Sequence, residues 1–133
     1  MALNAGNYSP AVIAGAKIGY INGGSSVTQT TNRSTGVTIS KLCGTITTDT
    51  TSLAAGASAE FTVTNTLVEI GDVVVVSQRS GSSNVAGVAG TTAVYVVTVA
   101  AGSFILSVQN SSSTTAETGA IIINFAVIKA VNA

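Results

Sequence analysis

Histidine and tryptophan are absent from this 133-residue chain, and cysteine, proline and methionine occur once each. Charged residues make up 8% of it, five basic and five acidic, for a formal net charge of +0. Each shortage closes off some chemistry. Without histidine there is no imidazole to activate a serine or cysteine nucleophile. Cys43 is a single thiol, so no intrachain disulfide forms, and in Lys41-Leu42-Cys43-Gly44 it reads as a small buried hydrophobe. Balanced charge supplies no field that would steer the chain to nucleic acid or an anionic membrane, so neither is expected as a partner. The stretch Met1-Ala2-Leu3-Asn4-Ala5-Gly6-Asn7 lacks the basic and apolar regions of a signal peptide. No run reaches 18 residues without polar interruption, so no transmembrane helix is expected.

The chain instead is rich in Val, Ile, Thr, Ser, Ala and Gly, and 46% of it is hydrophobic. These residues build β-strands and the turns between them. A chain of this length forms one domain and buries roughly two-thirds of its unfolded surface. A neutral protein this apolar needs its surface covered to stay in solution, which points to a subunit interface in a homo-oligomer.

Residues 1–24 differ from the remainder. They hold Pro10, Lys17, Tyr8 and Tyr20, and stop at Asn22-Gly23-Gly24. Ala11 to Tyr20 has no helical period, and its glycines oppose a helix. The segment reads as an extended N-terminal arm with one strand, or alternatively as a first core strand with a frayed end. From Ser25 the pattern is strand and turn. Strands are expected at Ser26–Thr30, Val37–Lys41, Thr45–Thr48, Ala59–Thr66, Asp72–Ser77, Thr92–Val99, Ser103–Gln109 and Ala120–Lys129. Alternation is clear in Ala59–Thr66, with Phe61 and Val63 on one side and Glu60, Thr62 and Thr64 on the other. Asp72–Ser77 and Thr92–Val99 are apolar on both faces, which predicts burial on both sides, in a sandwich centre or at a subunit contact. Gln78–Gly90, rich in Gly, Ser and Asn, reads as a mobile surface loop, and Asn110–Gly119 as a polar loop. About eight short strands with turns every 8–12 residues predict an all-β, antiparallel β-sandwich of jelly-roll-like form over residues 25–133.

Candidate chemistry is sparse. Glu69 and Asp72 place two oxygens near each other, but the dense Asp/Asn spacing of a calcium loop is missing, so they read as a solvated strand end. Two of Asp49, Glu60, Glu69, Asp72 and Glu117 meeting in space would suit glycoside hydrolysis, but aromatic sugar platforms are scarce. No Ser-x-x-Lys pattern appears, and the glycines of Gly81–Gly90 lack the Lys-Ser/Thr of a phosphate loop. Asn-x-Ser at Asn7, Asn32 and Asn110 reads as chance. The expectation is therefore a non-enzymatic protein with no catalytic residues, no metal and no cofactor.

One resemblance carries further. Val27 to Lys41, Gly44-Thr45-Ile46-Thr47, Leu53-Ala54-Ala55-Gly56-Ala57, Phe61-Thr62-Val63-Thr64-Asn65, Asp72-Val73-Val74-Val75-Val76 and Asn124-Phe125-Ala126-Val127-Ile128-Lys129-Ala130 occur in that order. Over about residues 25–133 this texture resembles small virion structural proteins of tailed bacteriophages. The resemblance implies a homotrimeric β-sandwich on the capsid exterior, a decoration or cement protein whose partners are itself and the phage major capsid protein. It would be made in the bacterial host cytoplasm. Residues 1–24 then suit an arm that orders on docking, with Tyr8, Pro10, Val12, Ile13, Lys17 and Tyr20 as candidate capsid or subunit contacts. The alternative is a trimeric head- or tail-fibre knob that binds host glycans through its loops, with Gln78, Arg79 and Asn84 as candidate contacts. Few aromatics are available to stack on sugars, which counts against it. A cellular fibre subunit pairing strands edge to edge is a third reading, opposed by the missing signal peptide.

Overall fold

The structure is a computed structural model, which describes residues 24–81 and 91–130. Eight strands account for about half of them: β1 (Ser26–Thr28), β2 (Val37–Thr38), β3 (Cys43–Thr47), β4 (Ser58–Thr64), β5 (Val73–Ser80), β6 (Thr92–Ala100), β7 (Ser103–Asn110) and β8 (Ile122–Ile128). There is no helix among the described residues. Two four-stranded sheets pack face to face, one ordered β1-β3-β8-β5 and the other β2-β4-β7-β6. The expected all-β sandwich is the fold found.

The sheets are mixed, and the purely antiparallel expectation is corrected. β1 pairs with β3 in parallel, and β2 with β4 likewise. The cause is the path of the chain. The first six strands alternate between the sheets, so each returns to a sheet only after a strand in the other. β1 and β3 therefore run the same way, as do β2 and β4. The remaining pairs, β3–β8, β4–β7, β5–β8 and β6–β7, are antiparallel. Among the described strands, only β6 and β7 are joined as a hairpin, through Ala101-Gly102, where Gly102 takes φ +80°. That left-handed conformation suits glycine.

The core lies between the sheets. From β4 come Ala59, Phe61 and Val63, from β7 Phe104, Leu106 and Val108, and from β8 Ile123, Phe125 and Val127. Ile46 of β3 and Ile121 before β8 are fully buried there too, and Val37, Ile39, Leu53 and Val68 complete it. Phe104 and Phe125 meet across the sheets, with ring centroids 5.6 Å apart and planes tilted by 49°, a favoured aromatic geometry. The two-residue period in β4 is the one expected from its sequence, with Glu60, Thr62 and Thr64 exposed. Gly44 has a packing reason of its own. A Cβ there would lie 2.6 Å from the Ser25 carbonyl oxygen and 2.9 Å from Ile39 Cδ1.

β5 and β6 are not in the sandwich centre. Each is the last strand of its sheet, and the two run along the same edge of the sandwich. Val74, Val76, Val94 and Val96 face inward and are half-buried, while Val73, Val75, Tyr95 and Val97 are exposed. Burial on both sides is therefore absent within one chain. Both strands carry an irregularity in their pairing, at Arg79 in β5 and at Val97 in β6.

Candidate functional site

The register places the two ends of the sandwich in sharply different surroundings. One end gathers the loop before β2, the residues after β3 and the loop before β8. Arg33 is buried there. Its Nε donates to the Thr51 carbonyl, Nη1 to Thr48 Oγ1 at 3.2 Å, and Nη2 to the carbonyls of Glu117 at 3.3 Å and Gly119 at 2.8 Å. Glu117 is fully buried beside it. One carboxylate oxygen accepts from Thr92 Oγ1 at 3.0 Å and the other from the Gly119 N–H at 2.7 Å. Burial opposes the charge on Arg33 and lowers its pKa, against the opposing pull of the Glu117 and Asp49 carboxylates. Asn110, also fully buried, donates to the carbonyls of Leu53, Ala54 and Thr115. The Asn110–Gly119 segment is the polar loop expected after Asn110, and it is pinned into the fold at Asn110, Ser112 and Glu117. These bonds satisfy carbonyls of loops outside the eight strands, and a two-way backbone bridge between Leu53 and Glu117 ties the same loops together.

A groove of about 320 Å³ lies against this end, lined by Asn32, Arg33, Thr51, Ser52, Leu53 and Ser58. Its cation is already engaged with main-chain oxygens and Thr48, so the groove has the character of a structural seam.

At the opposite end Asp72 precedes β5. It is buried, contrary to the solvated strand end expected of it. It accepts from Lys129 Nζ at 2.6 Å, from the Glu69 N–H at 2.8 Å and from the Ala130 N–H at 2.9 Å. Burial opposes its ionisation, but these donors outweigh that and hold its pKa below the usual value. Burial likewise opposes the Lys129 charge, and the carboxylates of Asp72 and Glu69 raise its pKa in spite of it. Among the described residues no three of His, Cys, Asp and Glu cluster as a metal site requires.

The outer face of the β1-β3-β8-β5 sheet changes character along the strands. Pairing places Val73 beside Ile128 and Val75 beside Ala126, with Cys43 beyond it. Further along, Ser77, Asn124, Thr45 and Ser26 share a row, and Thr45 Oγ1 donates to Asn124 Oδ1 at 3.2 Å. The first rows are apolar and the later ones polar. Ile70 and Leu67, in the turn leading to β5, extend the apolar end. Ile70, Leu67, Val73, Val75 and Ile128 are 45–73% exposed. Fully burying one such side chain is worth ~1.5–3 kcal/mol, so covering this cluster would contribute roughly 4–8 kcal/mol per copy. On the outer face of the other sheet, Tyr95 and Val97 of β6 are each 44% exposed. Tyr95 lies across from Ser107, whose other neighbour is Glu60. Ser107 Oγ is buried without a hydrogen-bond partner.

The residues singled out from the sequence fare unevenly. Tyr8, Pro10, Val12, Ile13, Lys17, Tyr20 and Asn84 lie outside the described residues. Gln78 and Arg79 stand on β5, not in a loop, with Gln78 half-buried and Arg79 exposed at the bulge. Cys43 is half-buried on the outer face of β3, not in the core. Arg33 and Glu117 were missed as a structural pair, since 84 residues separate them and no local pattern links them. The exposed aliphatic end was signalled by the two-faced apolar strand Val73–Val76. No family model matches the chain, and neither a curated protein nor a solved structure matches it.

Proposed function

We propose that this chain is a non-enzymatic structural subunit of a tailed-bacteriophage particle. In this reading it is a homotrimeric β-sandwich that decorates the capsid exterior, binds across neighbouring major capsid subunits and stabilises the shell. The observation that carries the self-associating, structural role is the cluster of Leu67, Ile70, Val73, Val75 and Ile128 left uncovered at one end of the sandwich. Five exposed aliphatic side chains at one end of a chain of zero net charge support an interaction surface there. The buried carboxylates add support, because Asp72 and Glu117 are committed to internal hydrogen bonds. Placement on the capsid rests on the sequence resemblance over residues 25–133.

The test is the copy number of this protein in purified particles of the virus that encodes it, relative to the major capsid protein, by quantitative mass spectrometry. Near-parity is the expected result. A few copies per particle would replace the decoration role with a fibre knob or vertex component. Absence from the particle would overturn the viral reading.

A further inference from the structure

We propose that Glu69, Asp72 and Lys129 form an acid-released latch: neutralising the Asp72 carboxylate frees residues 69–71 and 129–130 from each other while the rest of the sandwich stays folded. In the reading proposed above this end meets other subunits, so the latch sets the shape of that surface. The latch itself stands on contacts within one chain and is tested apart from that reading.

Its position supplies the first reason. Val73 and Ile128 are the outermost pair at that end of the β5–β8 ladder, and Asp72 and Lys129 are the next residues outward. Beyond that pair, side chains take over from the ladder. Asp72 accepts from the Ala130 N–H through Oδ1 at 2.9 Å, and from Lys129 Nζ and the Glu69 N–H through Oδ2 at 2.6 and 2.8 Å. Lys129 Nζ also donates to the Leu67 carbonyl at 2.9 Å and lies 3.0 Å from the Glu69 carboxylate. One carboxylate and one ammonium thus bind the turn before β5 to the end of β8.

The dependence of these bonds on charge supplies the second. The Asp72 side chain is 1% exposed and that of Lys129 38%. A carboxylate so buried is tolerable as an anion because three donors face it. The charged groups around it are Lys129, from the end of β8, and Glu69, from its own turn. Protonation removes the charge that strengthens all three bonds and turns an acceptor oxygen into a donor. Lys129 keeps the exposed Glu69 carboxylate as a partner, so its head can follow Glu69 into water.

The third reason is that the opening has limits on both sides. The Asn65 N–H bonds the Gly102 carbonyl and the Gly102 N–H the Val68 carbonyl, both at 2.9 Å, and Val68 is buried in the core. On the other side the Val127 N–H bonds the Leu42 carbonyl at 2.7 Å. Between these anchors Gly71 takes φ +94° and Ile70 is largely exposed. A short segment with little buried apolar surface opens at lower free energy than the core. Burial opposes the Asp72 charge, yet its donors hold the folded-state pKa below the usual value. The latch is therefore closed above the open-state value of about 4 and loosens as pH falls toward the lower folded one.

The experiment follows hydrogen exchange of single amides in the full chain by NMR from pH 7 to pH 2, as protection relative to unfolded-peptide rates. Glu69 and Ala130 report the latch, since their N–H groups bond Asp72. Asn65, Gly102 and Val127 report the anchors just beyond it. Protection at Glu69 and Ala130 should fall below about pH 4, by up to about tenfold per pH unit, and then level off. The anchor amides should keep theirs over the same range. Asp72→Asn should show low protection at Glu69 and Ala130 already at pH 7, without the acid step. Lys129→Met should also be looser at pH 7, with a weaker acid step, because burial then acts on the carboxylate with less to offset it.

Reporter and anchor amides losing protection together in Asp72→Asn at pH 7 would mean that Asp72 holds the whole fold, and would overturn the latch. So would reporters in Asp72→Asn as protected as in the wild type. An acid step of full size in Lys129→Met would overturn the part assigned to the ammonium. Where acid unfolds the wild type outright, the two variants at pH 7 decide the matter alone.

Discussion

At the Arg33 end of the sandwich the buried side chains are charged and polar, while at the Val75 end the exposed ones are aliphatic. Both depart from the rule that apolar residues go inside, and for different reasons. The Arg33 end is where long connections cross from sheet to sheet. Their carbonyls lie outside the eight strands, and side chains of Arg33, Gln29 and Asn110 reach in to bond them. Burying those groups is tolerable because they are paired. At the Val75 end the core is already closed by Phe61, Phe104 and Phe125. Val73 and Val75 of β5 and Ile128 at the end of β8 lie on the far side of the sheet and are exposed. One end is governed by satisfying polar groups within the chain, the other by surface left for contact outside it.

Substitutions separate these two accounts. The largest effect is expected from Glu117→Ala. It removes the carboxylate that accepts from Thr92 Oγ1 and the Gly119 N–H and that attracts the Arg33 charge, and should cost about 3–5 kcal/mol in chemical denaturation. A cost under about 1 kcal/mol would break the claim that this end is held by its polar network. Next comes Asp72→Asn, which removes a charged acceptor of three hydrogen bonds and should cost about 1.5–3 kcal/mol at neutral pH. The folded-state pKa of Asp72 is depressed, so its contribution is present above the unfolded value of about 4. It is lost as pH falls through the lower folded value. The gap between wild type and Asp72→Asn should therefore close under acid, and a gap constant with pH would remove the ionised carboxylate from the account.

A smaller effect of opposite sign is expected from Ser107→Ala. Ser107 Oγ is a buried polar atom with no partner, and deleting it should leave stability unchanged or raise it by up to about 1 kcal/mol. A clear loss would reveal a bond to the hydroxyl. The smallest effect belongs to Ile70→Ser. Ile70 is the most exposed of the large apolar side chains, so its loss should move unfolding by less than about 0.5 kcal/mol while reducing self-association in sedimentation. A destabilised fold with unchanged association would reverse the assignment of that end.

Most strands were legible in the sequence because their signals are local. The alternation around Phe61 and Val63, the Ala-Ala-Gly turn before Ser103 and the β-branched runs place β4, β6 and β7 within a residue or two. Pairing was not legible. Whether β1 lies parallel or antiparallel to β3 depends on where β2 goes in between, and no residue near β1 records that. The apolar strand Val73–Val76 announced a contact but not its location, since a central strand and an uncovered edge strand share one composition. The pairing of Arg33 with the Glu117 loop was hidden for a related reason. Asn110–Gly119 is polar throughout, and polarity alone does not distinguish a solvated loop from one whose polar groups are bonded inward.

The alternation of strands between sheets also bears on how the chain comes to be folded. β8 sits between β3 and β5, so the β1–β3 pair and β5 are not joined in one sheet until residue 128 has been synthesised. On a ribosome the first hundred residues can assemble little of either sheet beyond the local β1–β3 and β2–β4 pairs. Closure depends on contacts across most of the chain, which slows folding and leaves apolar edges exposed meanwhile. The protein should thus emerge as a late and all-or-none event, and truncation within β8 should abolish the first sheet instead of shortening it.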